Sequence, residues 1–118
     1  MSTIRLEDQA LLILDGACGT NLQAMDIPAS AWRGREGCNE WLNVTAPSAI
    51  VELHHAFVEA GAQVLETNTF GATRVVLAEY GLENEVARIN AAAVANARQA
   101  IGGRPGVAVA GSIGPTTK

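Results

Sequence analysis

Three segments of this chain join a short apolar run to small and polar residues of the kind that bind ligands. They are Leu11-Leu12-Ile13-Leu14-Asp15-Gly16-Ala17-Cys18-Gly19-Thr20, Val64-Leu65-Glu66-Thr67-Asn68-Thr69-Phe70 and Val107-Ala108-Val109-Ala110-Gly111-Ser112-Ile113-Gly114-Pro115. In the first, the Asp15 carboxylate can pair with an ammonium group. Gly16 and Ala17 let backbone N–H groups approach a ligand, and a helix start there favours an anion. Together they suit an amino acid, its ammonium on Asp15 and its carboxylate on the amides near Gly16 and Ala17. The same residues also fit Asp15 as a helix N-cap beside glycines that shape a tight turn. In the second segment, four consecutive polar residues are costly to bury unpaired, so they either line a site or form an internal hydrogen-bond network. Asn68 both donates and accepts, which suits orienting a ligand, and it shares a face with Glu66 if the strand continues. In the third, glycines and Pro115 shape a turn, with Ser112 as a weaker ligand contact. No base lies near Ser112 and no activating partner near Cys18, so neither reads as a nucleophile. The phosphate-binding patterns Gly-x-Gly-x-x-Gly and Gly-Lys-Thr are missing from the sequence.

The elements that must position these residues follow from periodicity. Strand one is predicted at 11–15, then a short helix at 17–25 with Leu22 and Met25 on one side. Residues 26–44 read as an irregular excursion, broken by Pro28, Gly34 and Gly37 and anchored by Trp32 and Trp41. A clear helix follows, with Thr45 as its cap, Pro47 in its first turn and Gly61 at its end. Ile50, Leu53, His54, Phe57 and Val58 form its apolar stripe, so His54 is expected to pack and His55 to flank it. The two histidines point about 100° apart, a poor metal pair. Strand two is predicted at 63–66, helical sequence at 73–80 ending at Gly81, a longer helix at 83–101, and strand three at 107–110. The long helix turns Val86, Ile89, Ala93, Ala97 and Ile101 inward. Apolar strands separated by helical crossovers indicate an α/β fold with a parallel sheet, whose site gathers at the carboxyl ends of the strands. Three strands leave two raw edges. The chain therefore reads as the N-terminal portion of a (β/α)8 TIM barrel, which needs about 250 residues, or as a small open sheet completed by another chain.

Bulk properties narrow the function classes. The chain has 118 residues, 48% hydrophobic and 17% charged, as expected of a globular protein. Twelve acidic residues against eight basic give a net charge of −4, which argues against a nucleic-acid partner. Arg33 and Arg35 flank a glycine in what reads as a solvated turn. No apolar run reaches the ~18 residues of a membrane span, and the polar N-terminus does not resemble a secretory signal. A cytoplasmic location is expected. Cys18 and Cys38 are too few for a structural zinc site and are expected to stay free thiols.

The motifs, in their order and spacing, resemble the homocysteine S-methyltransferase family, and within it the homocysteine-binding module of the cobalamin-dependent members. The matching residues are Leu14 to Thr20, Asn39-Glu40-Trp41-Leu42-Asn43, Pro47, Ala60-Gly61-Ala62, Glu66 to Phe70, Tyr80-Gly81-Leu82, Asn90, and Ala110 to Thr116. Cys18 stands where the family usually has Met. The resemblance implies a barrel that moves a methyl group onto the homocysteine thiol to form methionine. It implies a zinc ion held by cysteines of later strands outside this chain, and methylcobalamin or an S-methyl or N-methyl compound as donor. It assigns homocysteine recognition to Asp15, Gly16 and Ala17, with Asn68 at the rim. Residues 1–118 then form an N-terminal part of the homocysteine-binding domain, as a fragment, a truncated product or half of a split enzyme, and lack activity alone. Lys118 falls in the turn after strand three. The competing expectation is a non-catalytic small-molecule-binding or assembly half-barrel, dimerised through its exposed edges.

Overall fold

The apolar runs at 64–66 and 107–110 pair side by side as parallel strands, and this ladder sets the frame for everything else. The computed structural model describes residue 7 and residues 11–115; the polar N-terminal residues 1–6, and Thr116 and Lys118, lie outside the described residues. Strand β1 (Val64–Glu66) runs parallel to β2 (Ala108–Ala110), with Val64 opposite Ala108 and Glu66 opposite Ala110. On the other side of β1 lies the segment predicted as strand one. It makes a single parallel bridge, Leu14 to Val64, secured by the Asp15 N–H donating to the Val64 carbonyl at 3.0 Å and the Gln63 N–H to the Ile13 carbonyl at 2.7 Å. The three predicted strands thus lie in sequence order across the sheet, but the first is a bridge and not a full strand. Leu11, Ile13 and Leu14 are 78, 53 and 52% exposed, so no packing straightens it.

Two helices flank the ladder. Helix α4 (Pro47–Glu59) begins on the proline, whose missing N–H costs nothing in a first turn, and gives way to Gly61 at φ +110°. Its stripe buries Ile50, Leu53, His54 and Val58, as the spacing predicts. Thr45 does not cap it. The Thr45 hydroxyl instead donates back to the Trp41 carbonyl at 3.3 Å inside the preceding helix, and Ala46 starts α4 without a side-chain cap. Helix α6 (Val86–Ile101) packs on α4 and presents Ala93, Ala97 and Ala100 inward; the small residues allow a close approach. Ala97 meets Val58 and Leu65, joining both helices to β1.

The excursion is more ordered than its glycines and prolines suggest. After α1 (Gly19–Ala24) it contains α2 (Ala29–Trp32), a 3-10 turn over Asn39–Trp41, and α3 (Leu42–Thr45). Buried Trp41 sits with Cys38, Leu77 and Ile89, while Leu42 sits with Leu22 and Ile50. Adjacent residues thus anchor into different clusters and pin the segment down. Between the strands, α5 (Arg74–Leu77) is capped by Thr73, whose hydroxyl accepts from the Val76 N–H at 3.3 Å, and Gly81 ends the following turn at φ +71°. Among the described residues, no helix is long and apolar enough to cross a membrane.

The two threonines therefore separate in a stability measurement. Thr73→Ala is expected to cost about 1 kcal/mol, read as a lower urea midpoint, while Thr45→Ala stays within about 0.5 kcal/mol.

Candidate functional site

A cleft of about 520 Å³ opens where the strands end. The loop after Leu14 supplies Asp15, Gly16, Ala17 and Cys18; the loop after β1 supplies Glu66 through Phe70; Ser112 comes from the loop after β2. The three polar segments of the sequence therefore meet at one rim. Helix α4 forms a wall with Leu53, His54 and Phe57, and the excursion closes the cleft with Asn39 and Glu40.

Asp15 does not cap α1, whose N-cap is Cys18 without a side-chain bond. Its Oδ2 reaches across the sheet and accepts from the Glu66 N–H at 3.1 Å. Its Oδ1 is buried with no partner. Burial pushes the Asp15 carboxyl above the usual carboxylate range, and the Glu66 carboxylate adds to the rise. The site thus holds an acidic oxygen that lacks a counter-charge. Beside it, the Gly16 and Ala17 N–H groups have no acceptor among the described residues. Among the described residues no lysine or arginine lines the cleft, whereas Asp15, Glu40 and Glu66 do. Such a lining favours a ligand with a cationic group near Asp15 and an anionic group near the amides.

The polar residues after β1 do two things at once. Strand β1 stops at Glu66, so Asn68 does not continue its face. Instead Thr67, Asn68 and Thr69 turn inward and are buried. The Asn68 amide donates to the Asn39 carbonyl at 2.9 Å and to Asn43 Oδ1 at 3.4 Å, and its Oδ1 accepts from the Cys18 thiol at 3.6 Å. Asn43, 1% exposed, donates to the Asn68 carbonyl at 2.7 Å and to the Glu40 carbonyl at 2.9 Å, while Asn96 of α6 donates to the Asn43 carbonyl at 3.1 Å. Thr67 and Thr69 share a hydroxyl contact of 2.7 Å, and Thr69 also donates to the Ser112 carbonyl at 2.8 Å. Asn68 therefore lines the cleft with its side chain engaged internally. The loop after β2 is held close by Gly114, whose N–H donates to the Phe70 carbonyl at 3.0 Å; an added Cβ there would strike that same oxygen.

Cys18 and Cys38 are both free. Burial and the Glu40 carboxylate push each thiol up to about 11, so both are protonated at neutral pH. Among the described residues, no three His, Cys, Asp or Glu side chains converge as metal ligands. Sequence reasoning passed over His54, Leu53, Phe57 and Glu40 as site residues. The stripe spacing of Leu53, His54 and Phe57 points to helix packing, which they also provide; Glu40 accepts from the Gly71 N–H at 3.0 Å. A polar residue on an otherwise apolar stripe was the signal for His54.

The comparisons with known proteins agree with one another. A family model described as homocysteine S-methyltransferase matches residues 12–118. Methionine synthase of Mycobacterium tuberculosis is 40% identical over 114 residues, covering 93% of this chain and 10% of that protein. Methionine synthase of Mycobacterium leprae is 41% identical over 78 residues, covering 66% of this chain and 6% of that protein. The metallated form of the Escherichia coli homocysteine methyltransferase MmuM superposes with a TM-score of 0.72 at 32% identity, covering 93% of this chain and 40% of that one. The chain thus spans about a tenth or less of the length of the curated relatives it matches.

Asn43→Ala is expected to destabilise the fold by about 2–4 kcal/mol, because two buried carbonyls lose their donor; a denaturant titration measures it. His54 sets an acid limb. Burial lowers its pKa below 6.5, so between the two values the unfolded chain takes up a proton that the folded chain refuses. The His54 contribution to stability is therefore complete above about pH 6.5 and is lost as pH falls through the window beneath it. Asp15, raised above 3.8, contributes in the opposite sense at lower pH. Thermal melts across this range should show a shallower decline in His54→Leu than in the unaltered protein.

Proposed function

The chain belongs to the homocysteine S-methyltransferase family, and on that premise we propose that it is the opening part of a (β/α)8 barrel that transfers a methyl group to the thiol of homocysteine, forming methionine. This segment supplies the end of the site that holds the amino-acid group. The unpartnered Asp15 Oδ1 beside the free Gly16 and Ala17 amides is the observation that carries the reading. Asp15 accepts the ligand's ammonium, which provides the positive charge that the described residues of this acidic cleft lack. The two amides receive the carboxylate. Asn68 serves as a positioning residue: it ties the loop after β1 to Asn39, Asn43 and Cys18, and so fixes the floor on which the substrate rests.

A thiol attacks as its thiolate, the form that a zinc ion, which the family resemblance implies, would favour at neutral pH. The residues of this chain do not fit a zinc cage, since no three ligands converge among those described and the two thiols hold their protons. The metal therefore belongs to parts of the barrel beyond this segment. The methyl donor also comes from outside it, as methylcobalamin or an S-methyl or N-methyl compound. The rest of the barrel covers the exposed Leu11, Ile13 and Leu14 edge. Two free cysteines fit a reducing compartment such as the cytoplasm.

Calorimetry with L-homocysteine on the complete natural polypeptide tests this. Asp15→Asn should weaken binding by about 1–3 kcal/mol, the scale of a charge-assisted hydrogen bond. The same substitution should leave stability at neutral pH unchanged or higher, because it removes a carboxylate that folding disfavours. Unaltered affinity would remove Asp15 from the site.

A further inference from the structure

We propose that His54 is the second polar contact for the amino acid in this cleft, its uncharged imidazole donating a hydrogen bond to the ligand's carboxylate while Asp15 holds the ammonium. The inference rests on the cleft being an amino-acid site, and adds a residue that packing alone would assign to the core.

His54 is 3% exposed, and neither Nδ1 nor Nε2 has a partner. Buried polar atoms are nearly always paired, so each exception calls for a cause. Five buried side-chain atoms among the described residues lack a partner, and three of them belong to Asp15 and His54, which line the same cleft. The other two, on Trp41 and Glu83, belong to residues that do not line it. An orphaned acceptor and an orphaned donor thus share one cavity without bonding to each other. An α-amino acid carries the complements of both, an ammonium and a carboxylate, on a single carbon.

Placement supports the pairing. His54 and Phe57 are three residues apart on α4 and share a face. A Cβ on Gly16 would lie 3.3 Å from Phe57 Cε1, so the loop bearing the free amides runs against this wall, one helical turn from His54. The carboxylate therefore meets donors from two elements, the amides of the first loop and the imidazole of α4. In the resting cleft both ring nitrogens are covered. A change of side-chain rotamer brings the ring edge to the ligand, and a ring that leaves two nitrogens unpaired has little to lose by turning.

An uncharged donor also suits the surroundings. Asp15, Glu40 and Glu66 line the cleft, with Cys18 as a protonated thiol. A cationic side chain there would compete with the ligand's ammonium for Asp15. Burial keeps the imidazole neutral, so it offers one N–H and no charge.

The test is calorimetry on the complete natural polypeptide with two probes, L-homocysteine and the aminothiol of the same chain length that lacks the carboxyl group. His54→Leu should weaken L-homocysteine about tenfold or more while shifting the aminothiol by no more than about twofold. His54→Gln keeps an N–H donor and should recover part of the loss, whereas Asp15→Asn should weaken both probes. His54→Leu replaces two unpaired nitrogens with apolar atoms and is expected to fold; His54→Met provides the same readout if it does not. Homocysteine binding that survives His54→Leu intact, or falls equally for both probes, overturns this inference alone. Failure of the unaltered protein to bind L-homocysteine overturns the proposed function along with it.

Discussion

The site depends on a pair of buried asparagines. The Asn43 amide donates to the Asn68 carbonyl and the Asn68 amide to Asn43 Oδ1, and through them the end of β1, the excursion, and α6 become one unit. Each group in that network is costly to bury unpaired, so the parts are stable together and not separately. The network fixes the loop after β1, and β1 in turn fixes Asp15, because the Glu66 N–H binds its carboxylate directly. A hydrogen-bond network in the floor thereby leaves one acidic oxygen buried in the cleft without a partner.

The resulting cleft shows a trade between folding and binding. Asp15 is held where burial and Glu66 both oppose its charge, and His54 where burial opposes its protonation. Neither group stabilises the resting fold in that form. Their unmet capacity is instead left for a ligand, and a molecule with an ammonium and a carboxylate would supply what each lacks. Similar logic separates the two cysteines from the chemistry. They stay protonated, and Cys18 serves as a donor to Asn68.

Much of this was legible in the sequence. The apolar stripe of α4, the alanine-rich face of α6 and the runs at 64–66 and 107–110 each depend on local periodicity, and local periodicity survived folding. The polar rim was legible because parallel strands deliver their carboxyl ends to one side. Other features depended on contacts that a linear reading cannot supply. Strand one shrank to a bridge because its apolar side chains are exposed and no packing against the core holds it extended. Thr45 and Thr73 look alike as caps, but a helical turn already uses Thr45. Asn43 resembles a loop residue and lies in the core, since only the fold brings Asn68 to it. His54 was placed correctly on the stripe, yet that stripe runs past the core into the cleft.

The central claim is that the Asp15 carboxylate receives a substrate ammonium. Carbon-13 NMR of the Asp15 carboxyl in the complete polypeptide, titrated with and without L-homocysteine, tests it most directly. The raised carboxyl pKa should fall when the amino acid binds, as an ammonium pairs with the unpartnered Oδ1. A saturating ligand that leaves this titration unmoved would contradict the account.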